Sequence, residues 1–129
     1  MKLGALFTVN AVIAGLFGAA LLVAPVQLLE MYGVTLNPGS VLVSRLFGAA
    51  LFGYGSLSWL ARAAGPSDAL RAIVLSLCIA DAIGFAAALQ GVLGGAVNAL
   101  GWSTVALYGG LAAGFGYFIL QKADGATPG

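Results

Sequence analysis

The chain has 129 residues, 61% of them hydrophobic and only 7% charged, with a net charge of +1. A soluble domain carries about 25% charged residues, so this chain cannot cover a water-facing surface, and lipid must be its main solvent. No basic cluster exists for nucleic acid. The absence of histidine removes the commonest metal ligand and general base, and the single cysteine, Cys78, cannot close an internal disulfide.

A membrane-spanning helix needs about 20 apolar residues. Four such stretches use nearly the whole chain. They predict an all-α, four-transmembrane-helix bundle forming one domain over residues 1–122, with a mobile tail over 123–129. The apolar runs are continuous and do not alternate, which favours helices over a barrel.

Span one is expected over 4–23. Lys2 and the apolar run imitate a secretory leader, but the run is long and Ala24-Pro25 is a poor cleavage site, so we read it as a retained span. Pro25 ends it. Proline at a first helical position and glycine past the end predict a short helix from Pro25 to Tyr32, closed by Gly33. Leu28, Leu29 and Tyr32 are placed to lie on the bilayer, with Gln27 and Glu30 facing water. Asn37-Pro38-Gly39 reads as a turn, and Ser40 as the N-cap of span two, 40–61. Ser67 reads as the cap of span three, 69–89, with Asp68 suited to that helix's positive end. A glycine-rich loop from Gln90 to Asn98 leads to span four, 99–121, with Asn98 as its candidate cap.

With four spans, Lys2, Arg62, Arg71 and Lys122 fall on one side, and the loops on the other carry no lysine or arginine. The positive-inside rule then makes both termini cytoplasmic. Tyr32, Trp59, Trp102 and Tyr117 lie near span ends, where aromatic belts form. LFGAALL at 16–22 recurs as LFGAALF at 46–52, either an internal duplication or a chance recurrence in an alanine- and glycine-rich chain. Pairs such as Gly84 with Ala88 and Gly110 with Gly114 suit close helix packing, which in lipid depends on small residues.

Two charges sit well inside apolar runs. Arg45 lies about 8 Å below the outer end of span two at 1.5 Å per residue, and its long side chain can snorkel. Asp81 lies near the middle of span three and cannot reach water alone. A bare aspartate at that depth costs about 2.5–3.5 kcal/mol on insertion scales, so it must be protonated, paired or facing a wet cavity. Adjacent spans two and three would let Arg45 and Asp81 meet, with Asn10 of span one as a third wall. Glu30 is a rival partner for Arg45, and outer-leaflet phosphate another. The cluster reads either as a structural pair fixing helix packing or as a site for a proton, an anion or a polar headgroup. No serine has a histidine partner, no catalytic motif appears, and the Gly-x-Gly at Gly53 to Gly55 lies mid-span, the wrong context for a phosphate loop.

Leu-Leu-x-x-Tyr-Gly at Leu28 to Gly33, followed by Arg45, Gly48, Gly53 and Gly55 in span two, resembles the DoxX-like small four-helix bacterial membrane proteins. The likeness covers spans one to three, and its motifs are short. It implies a four-helix bundle in the bacterial cytoplasmic (inner) membrane, puts Arg45 in the family's arginine position, and supplies no role for Asp81. Some relatives are described as membrane subunits of quinone-linked oxidoreductases or as partners of redox enzymes.

These readings point to a non-catalytic accessory or structural subunit, packed against another membrane protein or itself, with no cofactor of its own and with quinone or lipid as possible ligands. Tyr54, Trp59 or Trp102 would flank a quinone ring. The alternative is a small proton-linked transporter or channel using Arg45 and Asp81.

Overall fold

The computed structural model describes residues 2–123, and residues 124–129 of the expected tail lie outside them. The described residues form helices α1 (Leu3–Val23), α2 (Pro25–Met31), α3 (Pro38–Ala61), α4 (Asp68–Leu93) and α5 (Gly101–Ala123), with no strand. Four of these, α1, α3, α4 and α5, are long and apolar enough to cross a membrane.

Local chemistry sets the boundaries. Asn37, not Ser40, caps α3: its Oδ1 accepts from the Ser40 amide at 2.8 Å, and the Ser40 hydroxyl accepts from the Asn37 amide at 2.8 Å. Pro38 occupies the first helical position, where its missing N–H costs nothing, so the expected turn is the first turn of the helix. Ser67 caps α4 as expected, accepting from the Leu70 amide at 3.0 Å. That helix runs past the expected end at Leu89 to Leu93, because no residue before Gly94 stops it. Gly33 and Gly95 take φ of +79° and +78°, the left-handed values that glycine adopts without penalty. Asn98 precedes α5 by a turn, its Oδ1 accepting from the Leu100 amide at 3.0 Å.

The bundle is two antiparallel hairpins. One pairs α1 with α3 and the other α4 with α5, and between the hairpins the main helix contact is α1 against α5. The consecutive spans α3 and α4 do not pack along each other, contrary to the adjacency expected from sequence. The α1/α3 hairpin is fused through the two LFGAAL stretches. A Cβ at Gly18 would lie 2.7 Å from the Gly48 carbonyl oxygen, and one at Gly48 would lie 2.8 Å from the Gly18 oxygen. A Cβ at Gly55 would lie 2.9 Å from the Gly15 amide nitrogen. The recurrence therefore has a packing role, since two backbones approach where neither chain has a side chain. In the second hairpin Gly84 receives the Tyr108 ring and Gly109 receives Phe85.

The two hairpins join differently at their two ends. At the α3–α4 turn they share a packed core of Leu6, Phe7, Leu70, Val74, Leu77 and Phe115, with the Phe7 and Phe115 rings 5.6 Å apart. At the other end the space between them is hollow.

Candidate functional site

The hollow is a cavity of about 320 Å³ between the hairpins. Each long helix lines it, and α3 and α5 do so with stripes at three- and four-residue spacing, the period of one helical face. From α3 these are Ser44, Phe47, Leu51 and Tyr54. From α5 they are Gly101, Thr104, Tyr108 and Leu111, and the far end is closed by Leu28 and Leu29 of α2 and by Tyr32, which follows that helix. The wall is mostly apolar, and its polar groups are few and placed. Ligand pockets typically measure about 300–1,000 Å³ and are built in this way.

Asp81 stands at the cavity's floor, one helical turn above Leu77 of the packed core. It is 1% exposed. The Tyr54 hydroxyl lies 3.3 Å from Asp81 Oδ1 and 3.4 Å from the Leu77 carbonyl oxygen. Asp81 Oδ2 is buried and has no hydrogen-bond partner. A buried polar atom without a partner costs about 1–3 kcal/mol, and such atoms are few in folded proteins. Among the described residues, none supplies this oxygen with a donor.

Two protonation states fit this geometry. With the carboxyl ionised, Tyr54 donates its proton to Oδ1. With Oδ1 protonated, the acid donates to the Tyr54 oxygen and Tyr54 turns its own proton to the Leu77 carbonyl. One hydroxyl placed between two acceptors thus serves both states, and only Oδ2 changes its needs.

Asn10 is buried beside this floor and lines the cavity, its Nδ2 donating to the Ser58 hydroxyl at 2.7 Å. That bond ties α1 to α3. Arg45 is not brought to Asp81. It lies on the exposed face of α3, because nine residues at about 100° each place it opposite Tyr54. Asp81's one hydrogen-bonded oxygen belongs to Tyr54, so no ion pair joins Arg45 and Asp81. Glu30 is likewise exposed, on α2. Among the described residues no group of three or more His, Cys, Asp or Glu side chains could hold a metal ion.

The cavity's far end is held by a latch between the hairpins. The Asn98 amide donates to the Tyr32 carbonyl at 2.8 Å, and Asn98 Nδ2 donates to the Met31 carbonyl at 2.9 Å. Tyr32, expected in the interfacial belt, is instead buried, and its hydroxyl accepts from Thr104 at 3.4 Å. Trp59, Trp102 and Tyr117 are exposed, and the Arg62 guanidinium stacks 3.5 Å over the Trp59 ring.

Sequence reasoning found Asp81 and Asn10 but gave Tyr54 only a ring-flanking role and missed Tyr108, Thr104 and the second function of Asn98. The signal was present: Ser44, Phe47, Leu51, Tyr54 and Ser58 form one stripe of α3 that excludes Arg45. Comparison of the chain with protein-family models, curated proteins and solved structures found no match.

Proposed function

We propose that the protein is a small multi-pass membrane carrier or binding protein that holds a lipophilic molecule in the cavity between its hairpins, with Asp81 as the polar anchor. The observation that carries this is Asp81 Oδ2: buried, without a partner, and on a residue of the cavity wall. This refines the proton-linked transporter reading by replacing Arg45 with Tyr54. The accessory-subunit reading draws on large apolar side chains on the outer faces, such as Leu16, Leu60 and Ile83. Those contact lipid as readily as a partner, so the cavity is the more specific guide.

By the positive-inside rule the packed end, near Lys2, Arg62 and Arg71, is cytoplasmic, and the latched end faces outward in a bacterial inner membrane. In this reading α2 lies near the outer interface. The DoxX-like resemblance is kept as part of the proposal. Its Gly48 and Gly55 serve helix packing, so it bears on the bundle and leaves the ligand to Asp81.

The test uses N-phenyl-1-naphthylamine, a neutral dye that brightens in apolar sites, titrated into nanodiscs holding the full chain and into empty nanodiscs. Wild type should show a saturable component that empty discs lack. Ala88→Phe, which puts a ring into the cavity wall, should remove it while the helical content is kept. Equal dye binding by the variant would refute the cavity as a ligand site.

A further inference from the structure

Among the described residues, the wall combines one carboxyl group with several aromatic rings and no cationic side chain. Tyr54 and Tyr108 stand with Asp81 around the floor, and Phe17, Phe47 and Tyr32 line the volume above. A carboxylate offers charge and hydrogen-bond acceptance, and ring faces attract cations within about 6 Å. We propose that the ligand is a lipophilic organic ammonium ion and that it exchanges for the proton of Asp81. The proposal rests on the cavity being a ligand site and names the class of ligand.

The exchange balances in charge. In the empty protein the acid is neutral, its Oδ1 proton held by the Tyr54 oxygen while Tyr54 donates to Leu77. When an ammonium ion enters, that proton leaves to water, Tyr54 turns to donate to Oδ1, and the cation sits at Oδ2. One proton goes out for each cation bound, and the cavity never holds an isolated charge, which lipid surroundings would penalise heavily. Tyr54 is therefore a positioning residue whose second acceptor, the Leu77 carbonyl, makes both states available.

Other ligand classes fit less well. An anion would meet a carboxyl with no compensating cation, since Arg45 is outside. A metal ion would find one carboxyl and few other oxygens. A purely apolar molecule would leave Oδ2 as it is. The groups that titrate near Asp81 are few. α3 contributes Tyr54, and α5 contributes Tyr108. Cys78, one turn away on α4, directs its Sγ at the Ala112 carbonyl, 3.5 Å away. α1 contributes only the neutral Asn10.

The experiment uses benzyltrimethylammonium, its uncharged isostere neopentylbenzene, and duroquinone as competitors of the dye on nanodisc-held protein, at mildly acid and mildly alkaline pH. Calorimetry of the cation in buffers of different protonation enthalpy counts the protons. The ammonium ion should displace the dye at alkaline pH, and its affinity should fall by about tenfold for each pH unit toward acid, as competition with one proton requires. About one proton should be released per cation bound, as a one-for-one exchange of positive charge requires. Asp81→Asn should keep dye binding and lose the cation's advantage. Tyr54→Phe should keep cation binding and the release of about one proton while moving the pH range over which the cation binds, because the carboxylate loses its one donor. Displacement by neopentylbenzene or duroquinone as strong as by the cation, or an unchanged cation affinity in Asp81→Asn, overturns the ammonium assignment and leaves the cavity standing. Dye binding equal in wild type and Ala88→Phe removes both.

Discussion

Replacing Asp81 with leucine should make the empty protein more stable. The magnitude follows from the hydrogen bonds around it. Asp81 Oδ2 has no partner, a deficit of about 1–3 kcal/mol for a buried polar atom. Leucine removes that atom. It also removes the Oδ1 contact with the Tyr54 hydroxyl at 3.3 Å, but Tyr54 keeps the Leu77 carbonyl at 3.4 Å as its acceptor, so no new unpaired donor appears. The lost Tyr54 contact is worth about 0.6 kcal/mol on the scale of membrane hydrogen bonds. The neighbouring cavity accommodates the extra volume of the leucine branch. The balance is a gain of roughly 1 kcal/mol, read as a shift in equilibrium unfolding of the protein in mixed micelles of mild and denaturing detergent. Asp81→Asn should show no such gain, because its amide brings two donors to a site short of acceptors. A loss of about 3 kcal/mol or more in Asp81→Leu, the kind seen when one partner of a buried pair is removed, would show that Asp81 has a structural partner and no unmet need for a ligand.

Two further predictions test the frame around the site. Gly48→Ala should destabilise the bundle by about 1–3 kcal/mol, as overpacking does, because the added methyl meets the Gly18 carbonyl oxygen at 2.8 Å and the Leu22 amide at 3.1 Å, and backbone cannot swing aside. Gly53→Ala meets nothing within 4 Å and should be neutral or stabilising in the same unfolding assay; equal costs for the two would mean that α1 and α3 are not fused at Gly48. Asn98→Ala removes the bond to the Met31 carbonyl and keeps the backbone bond to Tyr32. It should raise amide hydrogen exchange around residues 28–34 and 95–101 and leave the Phe7–Phe115 end unchanged, and a rise spread evenly over all helices would contradict a local latch.

Four spans and their approximate limits were legible because lipid leaves a blunt signal: long runs of Leu, Ala, Val and Gly with almost no charge. The caps at Asn37 and Ser67 were partly legible, since Ser67 stands alone before its helix, whereas Asn37 is followed by Pro38, which reads as a turn until it is recognised as a first helical residue. Which helices pair was not legible. Loop length suggests that α3 and α4 are neighbours, and the glycine surfaces decide otherwise: Gly18 and Gly48 bring α1 and α3 together, Gly84 and Gly109 do so for α4 and α5. Charge, the feature that drew Arg45 into the expected site, misleads near a span end. Arg45 needs nothing from the interior because its side chain reaches outward, so helix geometry alone decides its face.

The position of Asp81 along the bundle follows from the same contrast. Among Leu77, Phe115 and their neighbours a carboxyl would find no room and no donor. At the latched end it would lie away from the donor that Tyr54 supplies and from the packed core that fixes its geometry. On the boundary between the packed and hollow halves it has one donor from a rigid helix, Tyr54, and an open side. That is the place where a single short acidic side chain has the most to gain from an incoming donor or cation, because the packed half fixes its geometry and the hollow half supplies the access. The arrangement also explains why the hairpins meet only through a plug and a latch. Closer packing along their whole length would satisfy more apolar surface, and it would remove the cavity on which Asp81 depends.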